Sequence, residues 1–317
     1  AERDGMTLIC VIMGAESRDI RNAEAKKLLD GARATVLSSL GIRARGNYSL
    51  YFVSSGTEAD NMAISGVIYS KKYRFTPRII TTDSEHPAVL NPIAEAEKRG
   101  FEVVRLSTVG GVIDMNELRD ALTPNTVLVS VMRVNNETGA VNDVRAISDF
   151  VKSVNPECIV HTDAVQAVGH LPIDVKAQNI DMLSLSGHKF HGPKGVGALY
   201  VSSEIIKAKK IVPYILGGGQ EGGLRSGTEN VPAIAAFGEA VRIGRAELRQ
   251  RYEKMGKLRA YLIEKINTSP ALSQISLTLP ENHAPHILNI TLPKIKSETM
   301  LHYLSREGIY VSSGSAC

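Results

Sequence analysis

From residue 50 onward the chain alternates short β-branched runs with amphipathic stretches, and this alternation constrains the fold more than any other feature of the sequence. Each intervening stretch is long enough for a crossover helix, so the pattern predicts an α/β architecture, a mostly parallel sheet wrapped by helices. Strands are predicted at Leu50–Val53, Arg78–Thr82, Glu102–Leu106, Thr126–Met132, Ile159–Thr162, Met182–Leu185 and Gly197–Val201. Helices are predicted at Glu58–Tyr69, Pro87–Arg99, Met115–Leu122 and Val144–Val154. A charged stretch without strand signal, Glu239–Asn267, reads as a connecting helix. Beyond it lie strand candidates at Ile275–Leu279, Ile287–Leu292 and Ile309–Ser312 and a helix at Ser297–Arg306. Residues 46–240 are thus expected to form a large domain, with residues 1–45 and 241–317 contributing to a smaller α+β domain. In the first segment, Arg21–Leu40 reads as a helix with Leu28, Leu29, Ala32 and Val36 on one stripe, and Met6–Met13 is an isolated apolar run.

At 317 residues the chain has room for about two domains, and 43% hydrophobic with 22% charged residues is the composition of an ordinary globular protein. The longest early apolar run, Leu8–Met13, falls far short of the roughly 20 residues that cross a bilayer. No export signal precedes it, so a soluble, cytoplasmic protein without membrane contact is expected. Thirty-seven basic against 33 acidic residues give a net charge of only +4, with no basic block that suggests nucleic-acid binding. Cys10, Cys158 and Cys317 are too scattered for a disulfide framework, and the eight histidines show no metal-ligand spacing, so no metal is expected.

The most informative stretch is Asp181–Val201, in which an apolar strand runs into Ser186-Gly187-His188-Lys189 before a Gly/Pro-rich turn and another strand. A lysine at the mouth of a parallel sheet is costly to desolvate unless used, and Schiff-base chemistry is a common use. Lys194, inside Gly-Pro-Lys-Gly, is the rival lysine, and a plain surface turn is the bland reading of both. Four further signals converge on the same region. Asp163 ends a predicted strand, where open α/β sheets place ligand contacts. Ser54-Ser55-Gly56-Thr57-Glu58 leads a strand into a helix, which reads equally well as an anion site or as a simple N-cap by Ser55 or Thr57. His86 follows another strand, where its ring could stack on a flat cofactor or merely be structural. Asn135-Asn136-Glu137-Thr138-Gly139 is a polar cluster after a fourth strand, or a turn.

Taken together these stretches resemble the cysteine desulfurases, in the class V branch of fold-type I enzymes that use pyridoxal 5'-phosphate (PLP). The resemblance is specific over Val53–Asn61, Glu85–Leu90, Val134–Gly139, His161–Gly169, Ser184–Val201, Gly217–Val231 and Ser312–Cys317. It implies that Lys189 carries PLP as a Schiff base, that Asp163 pairs with the pyridine nitrogen and that His86 stacks on the ring and moves protons. Gln166 would bond the ring hydroxyl and Asn136 would lie near ring and substrate. Gly56, Thr57, Ser186 and His188 would form the phosphate site. Thr228, in Arg225-Ser226-Gly227-Thr228, would reach the phosphate of the neighbouring subunit, which implies a homodimer.

The same resemblance gives Cys317 a role, because Ser312-Ser313-Gly314-Ser315-Ala316-Cys317 matches the loop that bears the family's nucleophile. Its thiolate would take the sulfur of L-cysteine as a persulfide, release L-alanine, and pass the sulfur to an acceptor such as an iron–sulfur scaffold or a tRNA-thiolation protein. Cys158 begins a strand and reads as a small buried hydrophobe. Residues 1–20 differ from the Asn-Ala-Ala-Thr and Gly-Asn-Pro-Ser segments of the family, and the arginine that binds the substrate carboxylate follows the cysteine loop in those proteins. The chain as written is therefore expected to bind PLP but to turn over L-cysteine poorly. A selenocysteine lyase or another class V enzyme, or a non-catalytic scaffold of the same fold, are the alternatives that the motifs admit.

Overall fold

The computed structural model describes residues 17–42 and 50–314, together with the backbone at 2–3 and 6–7. In chain order the elements are β1 (Glu2–Arg3), β2 (Met6–Thr7), α1 (Arg18–Ser39), β3 (Leu50–Val53), α2 (Gly56–Ile68), β4 (Arg78–Thr82), α3 (Pro87–Lys98) and β5 (Glu102–Leu106). There follow α4 (Met115–Ala121), β6 (Thr126–Ser130), α5 (Val144–Val154), β7 (Ile159–Asp163), β8 (Met182–Ser186), β9 (Gly197–Val201) and α6 (Ser203–Lys207). The last elements are α7 (Val231–Thr268), β10 (Ser276–Thr278), β11 (Asn289–Thr291) and α8 (Ser297–Arg306).

Seven strands form one sheet in the order β3-β9-β8-β7-β6-β4-β5. The β4, β5, β6, β7 and β8 ladders are parallel, and β9 runs antiparallel to both of its neighbours, β3 and β8. The carboxyl ends of β3, β8, β7, β6 and β4 therefore share one edge of the sheet, where open α/β folds bind ligands. Strands β3, β7, β8 and β9 are buried along their whole length, as expected of strands covered on both faces. On one face α2 and α3 bury Met62, Ile64, Val89 and Ile93 against Ile79 and Leu199. On the other face, towards the β5 edge, Ile147 and Val151 of α5 join Leu118 of α4 over Val129 and Val160.

The same face as α4 and α5 also carries α1 and α7. Gly238 of α7 allows their close approach, since a Cβ there would lie 2.8 Å from the Ala32 backbone. Val36, Leu37 and Leu40 of α1, which the sequence grouped with the smaller domain, pack in one apolar cluster with Leu50, Phe52 and Leu185 of the large sheet. Helix α7 is longer than predicted. Its first turns bury Ile234, Phe237 and Val241, so it is a core element there before it becomes a connector.

Two strand predictions change. Strand β6 ends at Ser130 rather than Met132, because the Met132 N–H turns to the Glu85 carboxylate at 2.7 Å. Ile309–Ser312 forms no strand: β10 pairs only with β11, and a strand without a ladder partner does not form, however β-prone its side chains. Of the apolar run Met6–Met13, Met6–Thr7 pairs with Glu2–Arg3, and residues 8–13 lie outside the described residues. No helix among the described residues is long and apolar enough to cross a membrane.

Candidate active site

A cleft opens at the carboxyl edge of the sheet, lined by Ser55, Gly56, Thr57, Asp60, His86, Met132, Val134, Asn136, Asp163, Val165, Gln166, Ser186, His188 and Lys189. All residues named from the sequence as cofactor contacts within one chain lie in it. Thr228 does not; it is exposed outside the cleft of its own chain. Cys317 and Cys10 lie outside the described residues.

Lys189 sits on a 3-10 turn, Gly187–Phe190, that continues directly from β8. Phe190 anchors the turn edge-on against Phe237 of α7, with ring centroids 5.3 Å apart. Gly187 fits because a Cβ there would come within 2.8 Å of that same phenyl ring. His191 closes the turn in the left-handed region at φ 68°.

Helix α2 starts at the cleft wall, with Ser55, Gly56 and Thr57 in its lining. Ser55 is the N-cap, accepting from Glu58 N–H at 3.2 Å, which leaves Gly56 and Thr57 to the cleft. Gly56 is forced by crowding, since a Cβ would meet Val165 Cγ2 at 2.7 Å. Ser186 Oγ lies 3.0 Å from His188 Nδ1 beside them. Partial burial, reinforced by Lys189 and Lys194, lowers the His188 pKa. Glu58 takes the Ser54 N–H and hydroxyl as well as the Arg225 guanidinium, at 2.7 Å, and its carboxyl is held below its usual pKa although burial opposes this.

His86 both caps α3 and lines the cleft. Its Nδ1 accepts from Ala88 N–H at 3.1 Å, with Pro87 in the first helical position, so the ring is oriented by the helix it starts. Asn135 and Asn136 divide their work. Asn135 Oδ1 accepts from Glu137 and Thr138 N–H at 3.0 and 2.8 Å and builds the loop, while Asn136 lines the cleft.

Three buried carboxyl groups lie under the floor, and the sequence pointed to only one. Asp163, at the end of β7, accepts from Val165 N–H at 2.8 Å. Burial raises its pKa, while Val165 N–H, His86 and Lys189 pull it down. Burial, with Asp163 nearby, raises Asp60 well above the carboxylate range. Burial also pushes Glu85 up to about 8, against hydrogen bonds from Met132 N–H and Thr82 Oγ1. His161 Nε2 lies 3.6 Å from Asp60 Oδ1, but burial takes that imidazole to about 3, so the contact is not an ion pair. Instead the ring bridges Ser130 and Ser184 hydroxyls at 2.9 and 3.0 Å. An acidic residue among Ala59, Met62 and Ala63 on the inward side of α2 was the one sequence signal for Asp60. Glu85 had none, because beside its local bond from Thr82 the group that meets it is the Met132 N–H, 47 residues away.

The class-V aminotransferase family profile matches residues 15–317. The chain is 41% identical to the cysteine desulfurase IscS of Methanosarcina thermophila over 294 residues, 92% of this chain and 70% of that protein. Against the IscS of Dictyoglomus turgidum the identity is 38%, over 93% of this chain and 72% of the relative. A solved NifS-like protein superposes with a TM-score of 0.86 at 36% identity, over 94% of this chain and 79% of that one. A doubly wound sheet with a lysine, an aspartate and a helix start in one cleft is the arrangement of a PLP enzyme, and the chain belongs to the class-V aminotransferase family. Within that family it is a cysteine desulfurase.

The cleft fits PLP. Exposed hydroxyl and imidazole groups at the rim, Thr57 and His188, face the amide groups of a helix start and suit a phosphate dianion. A buried carboxyl group with a raised pKa at the floor suits a basic ring nitrogen, and the lysine between them suits the aldehyde.

Proposed function

We propose that Lys189, Asp163 and His86 are the groups through which this cysteine desulfurase works, with Cys317 as the sulfur-accepting nucleophile. The observation that carries this reading is the convergence of Lys189, Asp163, His86 and the start of α2 in one cleft. PLP, when bound, supplies an electron sink for the substrate carbons.

The protein's own groups do the rest. The Lys189 amine would hold the cofactor aldehyde and would serve as the base that takes and returns a proton at the substrate Cα. Asp163 would share a proton with the ring nitrogen, and its burial favours keeping that proton from water. His86 would lie against the ring. Its Nδ1 is committed to Ala88, so Nε2 is the nitrogen left to exchange protons. Gln166 and Asn136 orient the ring hydroxyl and the substrate. Gly56, Thr57, Ser186 and His188 hold the phosphate. The Cys317 thiolate forms an S–S bond to the sulfur of L-cysteine as the Cβ–S bond breaks. The electron pair passes to the three-carbon skeleton, which takes up protons and leaves as L-alanine, and the sulfur remains as a Cys317 persulfide. A thiol of ordinary pKa, about 8.5, is only a few per cent ionised at neutral pH, so the site must help deprotonate it.

Thr228 supports a homodimer. Arg225 ties its loop to α2 at the rim of the cleft, yet Thr228 points to no phosphate site in its own chain and is free to complete a neighbour's. The persulfide sulfur goes to an acceptor protein, an iron–sulfur scaffold or another carrier, in the cytoplasm and without membrane or direct nucleic-acid contact. The visible spectrum of the purified protein with PLP, recorded before and after adding L-cysteine, tests this reading. A cofactor band that shifts with L-cysteine and yields alanine is expected, and an unchanged band with no alanine contradicts it.

A further inference from the structure

Against the main chain of the Lys189 turn two imidazoles lie face to face. His170 follows the turn that carries Gln166, and His286 lies between β10 and β11. Their centroids are 3.9 Å apart and their planes 20° from parallel. His170 Nε2 lies 3.0 Å from the main-chain oxygen of Lys189. A carbonyl can only accept, so Nε2 carries the proton and Nδ1 the lone pair. His170 Nδ1 and both nitrogens of His286 are buried without a hydrogen-bond partner. The main chain of Gln166 is near enough to His286 to favour its protonated form somewhat, but not in a geometry that makes a hydrogen bond.

The segment that bears His286 is pinned on its other side. Val141 N–H donates to Asn282 O at 2.9 Å and Ala284 N–H to Gly139 O at 2.8 Å, which joins it to the loop that presents Asn136. Arg259 of α7 reaches the Ile287 carbonyl beside it at 3.4 Å. The charges felt by His170 from neighbouring elements are positive, His191 on the Lys189 turn and Arg251 on α7, and His286 faces His170 itself. A proton on either ring would thus be desolvated, would face a second imidazole at stacking distance and, at His170, would meet further cations. Burial accordingly lowers the His170 pKa and takes His286 to about 3.

We propose that the His170–His286 stack is a positioning device for Lys189: as a neutral pair it fixes the main chain of the cofactor lysine against the Asn136 loop, and protonation splits it and frees the lysine turn. This rests on the reading of Lys189 as the cofactor lysine. Neither histidine touches the cofactor in this account, so both are positioning residues.

The test uses the full PLP-loaded chain and follows cofactor release by visible absorbance from about pH 8 to about pH 5, the range in which an imidazole released from the stack titrates normally and its protonation favours the split form. His286→Phe keeps a flat stacking ring without a titratable nitrogen. His170→Gln keeps a donor near the Nε2 position, whereas His170→Leu has none. Release from the parent protein is expected to accelerate about tenfold or more as the pH falls, and His286→Phe is expected to flatten that profile to about twofold. His170→Leu should release PLP about tenfold faster than the parent at about pH 8, with the difference closing as the pH falls, and with most of the loss restored in His170→Gln. If His170→Leu does not fold, His170→Asn, whose amide stops short of the carbonyl, gives the same contrast with His170→Gln. A His286→Phe profile that follows the parent's, or a His170→Leu rate equal to the parent's at about pH 8, overturns the proposal. Borohydride trapping at about pH 8 separates this from the underlying reading. If the parent chain carries no reducible adduct at Lys189, it is the lysine assignment that fails.

Discussion

The Arg225 guanidinium closes on the Glu58 carboxylate at 2.7 Å and so ties the loop that carries Thr228 to the first turn of α2, which carries Thr57. Both side chains are largely sheltered, with 20% and 11% of their surface exposed, and the pair joins two stretches 167 residues apart. Removing one charge leaves the other poorly solvated. Glu58→Gln is expected to cost on the order of 1–3 kcal/mol, read as a lower thermal midpoint, and to weaken PLP retention. Unchanged stability and retention would mean that the ion pair is incidental.

Lys189 and Lys194 stand five residues apart, and of the two Lys189 lines the cleft. Borohydride reduction of the PLP-loaded protein followed by peptide mass analysis should place the adduct on Lys189. Lys189→Ala should abolish it and Lys194→Ala should leave it in place. The reverse pattern would contradict the assignment.

Phe237 is wholly buried and meets Phe52 and Phe190 edge-on, at 6.0 and 5.3 Å between centroids. It is the wedge behind the Lys189 turn. Phe237→Ala should destabilise the fold by about 3–5 kcal/mol in denaturant unfolding, with loss of the bound-cofactor band before global unfolding. A cofactor band that survives until the sheet unfolds would show that the turn does not depend on this wedge.

Glu85 gives a pH dependence with a definite sign. Burial raises its pKa from 4.5 to about 8, so between these values the folded cofactor-free protein binds a proton that the unfolded chain releases. Its contribution to stability is full below pH 4.5 and is lost as the pH rises through about 8. Glu85→Gln is neutral at every pH and keeps the hydrogen bond from Met132 N–H. The variant should be more stable than its parent above about pH 8, with the gap closing towards pH 4.5. A gap that widens on acidification would mean that Glu85 is ionised in the fold.

Much of this site was legible because its residues sit where the period changes from strand to turn. Lys189, Asp163, His86 and Thr57 each follow a buried strand within a few residues, so their place at one edge of the sheet follows from the parallel order of the strands. Asp60 and Glu85 were hidden because their environment is built by distant strands. A carboxyl on an apolar helix side or in a turn shows nothing of its burial until β6 and β7 are laid beside it. The His170–His286 stack is likewise a contact across 116 residues, with no local spacing to reveal it. Ile309–Ser312 failed for the converse reason, since β-propensity is local and pairing is not.

Cys158 bounds the thiol chemistry. It is fully buried, and burial pushes its thiol up to about 12, so it cannot supply a thiolate near neutral pH. Iodoacetamide applied to the folded protein should leave Cys158 unlabelled, with labelling only after unfolding. Rapid labelling of Cys158 in the native state would contradict its place in the core.

The central claim is tested most directly in a single turnover. The PLP-loaded chain is mixed with L-cysteine without reductant, alanine is quantified, and the peptide bearing Cys317 is examined by mass spectrometry. One extra sulfur atom on Cys317, in proportion to the alanine formed and absent from Cys317→Ser and Lys189→Ala, is the expected result. Alanine formed in equal amount by Cys317→Ser, with no sulfur held on the parent's Cys317, would contradict the persulfide mechanism.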